Sequence, residues 1–470
     1  MTKLHPVDFI IILLYIAFVL FLGFRRKKSK ASSSEDYLLA GRRLTLPSFV
    51  ATLVSTWYGG ILGVGEYSYL YGISNWLVFG VPYYLAAVIF ALFLAKRARR
   101  SEIYTIPHQL DKSYGKAASI IGAFLVFVMT APAAYVLMLA TLMQFLFGWP
   151  LIWGLLAGTL FSVGYVWSGG FRSVVRTDLL QFVLMFGAFF LILPLSAFRF
   201  GGLDFLRVNL PASHFLWHGG QGAQYIFVWY FIALTTLVDA SFYQRCFAAK
   251  TESVARRGIL VSILFWIVFD FMTTFTGLYA RAALPNLHNP VTSYLELSAV
   301  VLPVGLQGIF LVGLLATIMS TIDSYSFLSA MSIGRDIIWR LRGEKSEDNI
   351  ARYTRVGLLL TAVISIAIAW WAQSVIVIWK EVGSIAAPAL LVPLASSFSA
   401  RWRLRPKTAL WTMIAGGGIS GLWAATKLVS VFSGAGSYWL NVEPIFPGLL
   451  ATFILLFVDK FIRSKKYDGL

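Results

Sequence analysis

From Ala117 to Leu160 the chain carries no Asp, Glu, Lys or Arg. In water such a run would have to be wrapped completely by the rest of the protein. In a bilayer it needs only a backbone that satisfies its own hydrogen bonds, which restricts it to helices or a closed barrel. The apolar runs are unbroken and lack two-residue alternation, so a barrel is excluded. The whole chain has this character: of 470 residues 58% are hydrophobic and 13% charged, proportions that no water-soluble domain uses. Disorder is excluded by the apolar composition, and an internal disulfide by the single Cys246. The chain reads as an all-α polytopic membrane protein.

A membrane helix takes about 20 predominantly apolar residues. Thirteen runs qualify, centred near residues 15, 60, 86, 132, 159, 188, 233, 268, 318, 363, 386, 420 and 453. A net charge of +18 would suggest a nucleic-acid partner in a soluble chain. Here the bases lie between apolar runs, and 33 of the 39 Lys and Arg fall on alternate loops and the C-terminal tail. That bias predicts an N-terminus outside, a C-terminus inside and no nucleic-acid partner. Arg25 to Lys28 follow the first run instead of preceding it, and no small-residue cleavage site is evident, so the run reads as a retained helix. No Asn-x-Ser/Thr acceptor occurs, which favours a prokaryotic plasma (inner) membrane.

Function is expected where the apolar pattern is broken, because ionisable side chains and unpaired backbone at membrane depth are costly. The second run, Ser48 to Glu66, contains Gly59, Gly60, Gly63, Gly65 and the carboxylate of Glu66. Interruption near Ser55 to Gly60 would free carbonyls for a bare cation; close helix packing through small residues is the alternative. In the ninth run Thr317, Ser320, Thr321 and Ser324 share one helix face, with Asp323 at its edge. Hydroxyl and carboxylate oxygens suit a hard cation, whereas Ser and Thr bonded back to their own helix are the bland case. Asp178 opens the sixth run, where capping a helix is the structural alternative. Asp239 stands in the seventh, six residues before Arg245. No nucleophile and base pairing, phosphate loop or redox motif appears, so no enzyme is indicated. His214 and His218, four apart, lack a metalloprotease glutamate between them. Lys380 and Glu381 read as an adjacent pair near the outer end of the eleventh run.

Taken in order, these segments resemble the sodium/solute symporter family, which includes sodium/proline and sodium/sugar symporters. The likeness rests on Asp36 to Arg42, the interrupted second run to Gly72, and Gly169 to Gln181. It continues through Gln244 to Lys250 and Leu302 to Ser324. It implies a single membrane-embedded domain: an extra helix (1–24), a five-plus-five inverted-repeat core (48–398) and two additional helices (408–463). It further implies sodium as the co-transported ion, held by the carbonyls of Leu53, Thr56 and Thr317 and the hydroxyls of Ser320 and Thr321. A possible second cation would use Asp178, Ser320, Asp323 and Ser324, the aspartate at 323 either tightening sodium or taking up a proton.

The stretch with Ser55, Gly59 and Gly60 departs from proline and sugar carriers, which place an aspartate or an asparagine where Ser55 stands. Ser55, Trp57, Tyr58, Glu66, Asp239 and Tyr243 are the candidate pocket residues. An acid-rich pocket without a midplane base suits a cationic, zwitterionic or neutral polar solute. The expected function is sodium-coupled import of a small polar solute by alternating access, with no obligate protein partner. A proton-coupled carrier and a solute sensor without transport are the rivals.

Overall fold

The structure is a computed structural model that describes residues 4–24, 34–343, 349–372, 374–432 and 438–467. Extended pairing among these is confined to one bridge: the Leu44 amide donates to the Ala248 carbonyl at 3.0 Å and the Lys250 amide to the Leu44 carbonyl at 2.9 Å. Everything else that is regular is helix. The basic cluster at 25–30 and Lys345 lie outside the described residues.

Among the described residues ten helices are long and apolar enough to cross a membrane, or eleven if the bent pair Leu46–Trp57 and Ile61–Tyr71 is one span. The thirteen apolar runs fall on helical segments, the second and fourth each split in two. The fifth and sixth are joined in one element, Leu151–Phe200, kinked at Gly170 with φ 57° and ψ −150°. A Cβ at Gly170 would stand 2.5 Å from the Tyr37 carbonyl oxygen, so the kink needs glycine for both its dihedral and its space. Asp178 therefore lies inside a helix, eight residues beyond the kink, and does not cap one.

The element ends follow local chemistry. Thr105 accepts from the His108 amide at 3.2 Å and caps Ile106–Tyr114. Thr251 does the same for Glu252–Ala283, with Glu252 in the first turn to complement the helix dipole. Ala131 and Pro132 separate Lys116–Thr130 from Ala133–Phe147, since proline offers no amide to continue the ladder.

Burial is inverted relative to a soluble protein. Phe198 and Trp371 are 89% and 80% exposed, whereas Asp178, Arg245 and Asp323 are fully buried. Apolar side chains face lipid and the polar ones gather inside. The centre of this interior is Leu306–Met331, which packs most extensively against Leu151–Phe200. The first helix closes the end of that central element: Asp8 Oδ1 accepts from the amides of Gly305 and Gly308, both at 2.7 Å.

Candidate functional site

The second apolar run breaks at residues 58–60, where Leu46–Trp57 gives way to Ile61–Tyr71 at an angle of 59°. Two glycines permit this. A Cβ on Gly59 would lie 2.3 Å from Thr321 Cβ, and one on Gly60 would lie 1.8 Å from the Trp379 ring. The break is thus pressed against the ninth run on one side and the eleventh on the other.

At the break the helix presents the carbonyls of Ser55 and Thr56 to the central helix. Ser320 Oγ donates to the Ser55 carbonyl at 2.7 Å and to the Thr317 carbonyl at 3.1 Å. Thr321 Oγ1 donates to the Thr56 carbonyl at 2.8 Å and to the Thr317 carbonyl at 3.4 Å. Five oxygens from two elements therefore converge in a fully buried place, a donor set that suits a hard monovalent cation. Thr56, Thr317, Ser320 and Thr321 are all part of this cluster. Leu53 sits deeper in the regular helix, and the carbonyl that accompanies Thr56 is that of Ser55. Among the described residues no group of three or more His, Cys, Asp or Glu could hold a metal. His214 instead contacts the Tyr69 carbonyl at 3.0 Å.

Beside this cluster lies a second polar knot, centred on Arg245. Its Nη2 donates to Ser324 Oγ at 2.7 Å, Thr56 Oγ1 at 2.8 Å and Thr52 Oγ1 at 3.1 Å. The same nitrogen lies 3.6 Å from Asp178 Oδ2, which also accepts from Thr52. Arg245 and Asp178 are fully buried, and the guanidinium lies over the Phe171 ring. A resident cation thus occupies the space between Asp178 and Ser324. Asp323, equally buried, lies near Tyr15 of the first helix.

The seventh run is also discontinuous: Ala223–Ile232 passes through a tight turn, residues 233–238, into Ala240–Ala248. Asp239 caps the second piece, accepting from the Ser241 amide at 2.7 Å and hydroxyl at 2.5 Å, and its other oxygen accepts from Tyr325 at 2.7 Å.

Between the two breaks is a cavity of about 170 Å³, more than ten times the space a single water needs. Trp57, Tyr58 and Asp239 line it, while Ser55, Glu66 and Tyr243 do not. Tyr243 donates to the Leu237 carbonyl at 3.0 Å and stacks on Phe398. Asp270, Tyr135, Tyr325 and Trp379 complete the wall, residues that sequence reasoning passed over. Asp270 had a signal: a carboxylate in the middle of the apolar run Glu252–Ala283.

On the side of the basic loops, the Arg335 guanidinium donates to Asp336 Oδ1 at 2.7 Å and meets His108 Nδ1 at 3.1 Å. A guanidinium only donates, so this imidazole is neutral and accepts at Nδ1. Burial first, and then the Arg335 charge, pull the His108 pKa down to about 4. At the opposite end Lys380 and Glu381 do not pair with each other. Lys380 reaches Glu443 at 2.7 Å, and Glu381 accepts from Tyr438 at 2.5 Å with Lys427 at 3.9 Å.

Two broken helices, an oxygen cluster at one break and a cavity between them define a membrane carrier for an ion and a solute. The chain belongs to the sodium:solute symporter family, whose model matches residues 37–416. It is 24% identical to the sodium/proline symporter 2 of Staphylococcus saprophyticus over 97% of this chain and 93% of that one. It is 25% identical to the sodium/pantothenate symporter of Escherichia coli, covering 92% and 91%. With the sodium/glucose cotransporter of Vibrio parahaemolyticus it shares 25% identity over 76% and 74%. In fold it is similar to a Na+-coupled sialic acid symporter in its substrate-bound outward-open state, with TM-score 0.74, 16% identity and coverage of 97% and 96%. A closed form of Mhp1, a nucleobase-cation-symport-1 family transporter, is more distant at TM-score 0.60 and 14% identity, covering 93% and 96%.

Proposed function

We propose that the chain is a sodium-coupled symporter that imports a small polar solute across a prokaryotic plasma membrane by alternating access. In this reading thirteen helices span the bilayer, with the N-terminus outside and the C-terminus inside. The core at 48–398 is a five-plus-five inverted repeat, with an extra helix at 1–24 and two more at 408–463. Support for the repeat comes from the two discontinuous elements, which are the first of each proposed half. Support for the orientation comes from the distribution of Lys and Arg.

The observation that carries the reading is the pairing of Ser320 with the Ser55 carbonyl and of Thr321 with the Thr56 carbonyl. Sodium enters this cluster, the two hydroxyls turn their O–H groups away from the carbonyls and coordinate through their oxygen lone pairs, and the break is pinned to the central helix. Ordering the break also sets Trp57 and Tyr58, which line the cavity, so ion binding and solute binding are linked. Sodium and solute then leave together on the inner side as the two halves rock. One charge moving inward through ~100 mV yields about 2.3 kcal/mol. That alone concentrates a neutral solute roughly fifty-fold, at ~1.4 kcal/mol per decade.

The stoichiometry is one sodium per cycle, because the guanidinium of Arg245 already supplies the positive charge between Asp178 and Ser324. Equilibrium binding of tracer sodium to the purified protein tests this. One saturable site per chain, displaced by unlabelled sodium and not by potassium, is expected. Two sites of comparable affinity would contradict it.

A further inference from the structure

We infer that the transported solute is a small organic cation, an ammonium compound, held in the cavity between Asp239 and Asp270. This rests on the symport reading above and assigns its substrate class.

The cavity wall contains two carboxylates and no Lys, Arg or His. Asp270 is 4% exposed, accepts from the Tyr84 hydroxyl and has Tyr58 beside it. Among the described residues neither Asp239 nor Asp270 has a basic partner within 4.0 Å, unlike Asp178, which has Arg245. Asp239 is held by the amide and hydroxyl of Ser241 and by Tyr325, all neutral donors. A buried carboxylate with only neutral partners is costly unless a cation joins it.

The charge balance of the interior points the same way. Asp178, Asp239 and Asp270 are formally three negative charges around the two breaks and the cavity, against the one guanidinium of Arg245. One sodium leaves one of them uncompensated. An anionic solute would add to the deficit and a neutral one would leave it, whereas an organic cation reduces it. The rest of the wall suits such a ligand. Seven aromatic residues line the cavity, with Tyr135 5.5 Å from Tyr325 and 6.1 Å from Trp379 between ring centroids. Aromatic faces attract ammonium groups through their quadrupoles, most strongly when water is excluded. A sugar would instead require several fixed hydrogen-bonding groups pointed into the space, and apolar and aromatic residues make up most of this wall.

The test uses the full-length protein in detergent at saturating sodium, with choline as the probe. Its uncharged carbon isostere dimethylbutanol, proline and glucose are the comparisons. Choline should raise the melting temperature saturably on top of the sodium effect, while dimethylbutanol at the same concentration does nothing. Asp270→Asn should weaken apparent choline affinity at least tenfold and keep the sodium-induced rise. If that variant fails to fold, the comparison of choline with its isostere in the parent decides. Equal stabilisation by the isostere, or stabilisation by proline or glucose but not choline, overturns the cation assignment and leaves symport standing. So does an intact sodium effect with no response to choline. Loss of the sodium effect itself would instead contradict the symport reading.

Discussion

Thr321 donates its hydroxyl to the Thr56 carbonyl across 2.8 Å, joining the broken second run to the middle of the central helix. Neither partner is unusual in a helix. What makes the contact specific is that Thr56 stands at a helix end, where carbonyls lose their intrahelical partners, and that Gly59 allows the two elements to close in.

Gly59→Ala should therefore disable the ion site without replacing any ligand. Its new Cβ would fall 2.3 Å from Thr321 Cβ, so the break and the central helix must separate. Overpacking of this kind costs about 1–3 kcal/mol. The expected result is a lowered melting temperature together with a sodium affinity reduced by an order of magnitude or more. Wild-type sodium affinity in this variant would show that the close approach is incidental.

Arg245 and Asp178 should behave as a coupled pair. Removing one partner of a buried ion pair leaves a bare charge and costs about 3–5 kcal/mol. Arg245→Gln and Asp178→Asn should each destabilise strongly, and the double variant should be more stable than the sum of the two losses predicts. Denaturation of all four proteins measures this, and strict additivity would contradict the pairing.

Asp8 should act as a cap supplied from outside the helix it serves. It receives the Gly305 and Gly308 amides at the start of Leu306–Met331, and such caps are worth about 0.5–2 kcal/mol. Asp8→Ala is expected to lower the unfolding free energy by about that amount, read as a lower melting temperature, while sodium affinity changes little. An unchanged melting temperature would remove the capping role.

His108 gives a pH dependence with a definite sign. Its folded pKa lies near 4, below the ordinary histidine value of about 6.5. The unfolded chain thus binds more protons between these values, and stability falls as pH drops from about 6.5 towards 4. Above about 6.5 the contribution is constant. Burial sets it first; the charges of Arg335, Arg340 and Lys112 lower it further and Asp111 opposes them, with Asp336 held by Arg335. His108→Gln should flatten that part of the melting profile. An identical acid slope in parent and variant would exclude this histidine as its source.

Much of the architecture was legible because its determinants are local. Apolar run length, the glycines after Tyr58 and the hydroxyl spacing from Thr317 to Ser324 are all written within one or two turns. What escaped depends on direction and on distant partners. The register of the break brings the Ser55 carbonyl against Ser320, a contact that residue spacing does not show. Glu66 does not line the cavity, and Tyr243 is spent on Leu237 and Phe398. Arg245 lies in the Gln244 to Lys250 motif, but its reach to Asp178, Ser324, Thr52 and Thr56 joins four elements that sequence order does not juxtapose. Lys380 and Glu381 are adjacent in the chain, yet helical geometry points neighbours apart: Lys380 pairs with Glu443 in the loop before the last helix, and Glu381 faces Lys427 in the helix before that loop.

The most direct measurement is the melting temperature of the purified protein in sodium chloride against potassium chloride at equal ionic strength. It should be made for the parent and for the Ser320→Ala, Thr321→Ala double variant. Sodium at 100 times its dissociation constant should stabilise the parent by about 2.7 kcal/mol, with no such gain in the double variant, which still unfolds cooperatively. A parent that does not distinguish sodium from potassium, or a double variant that keeps the sodium effect, would contradict an ion site at these two hydroxyls.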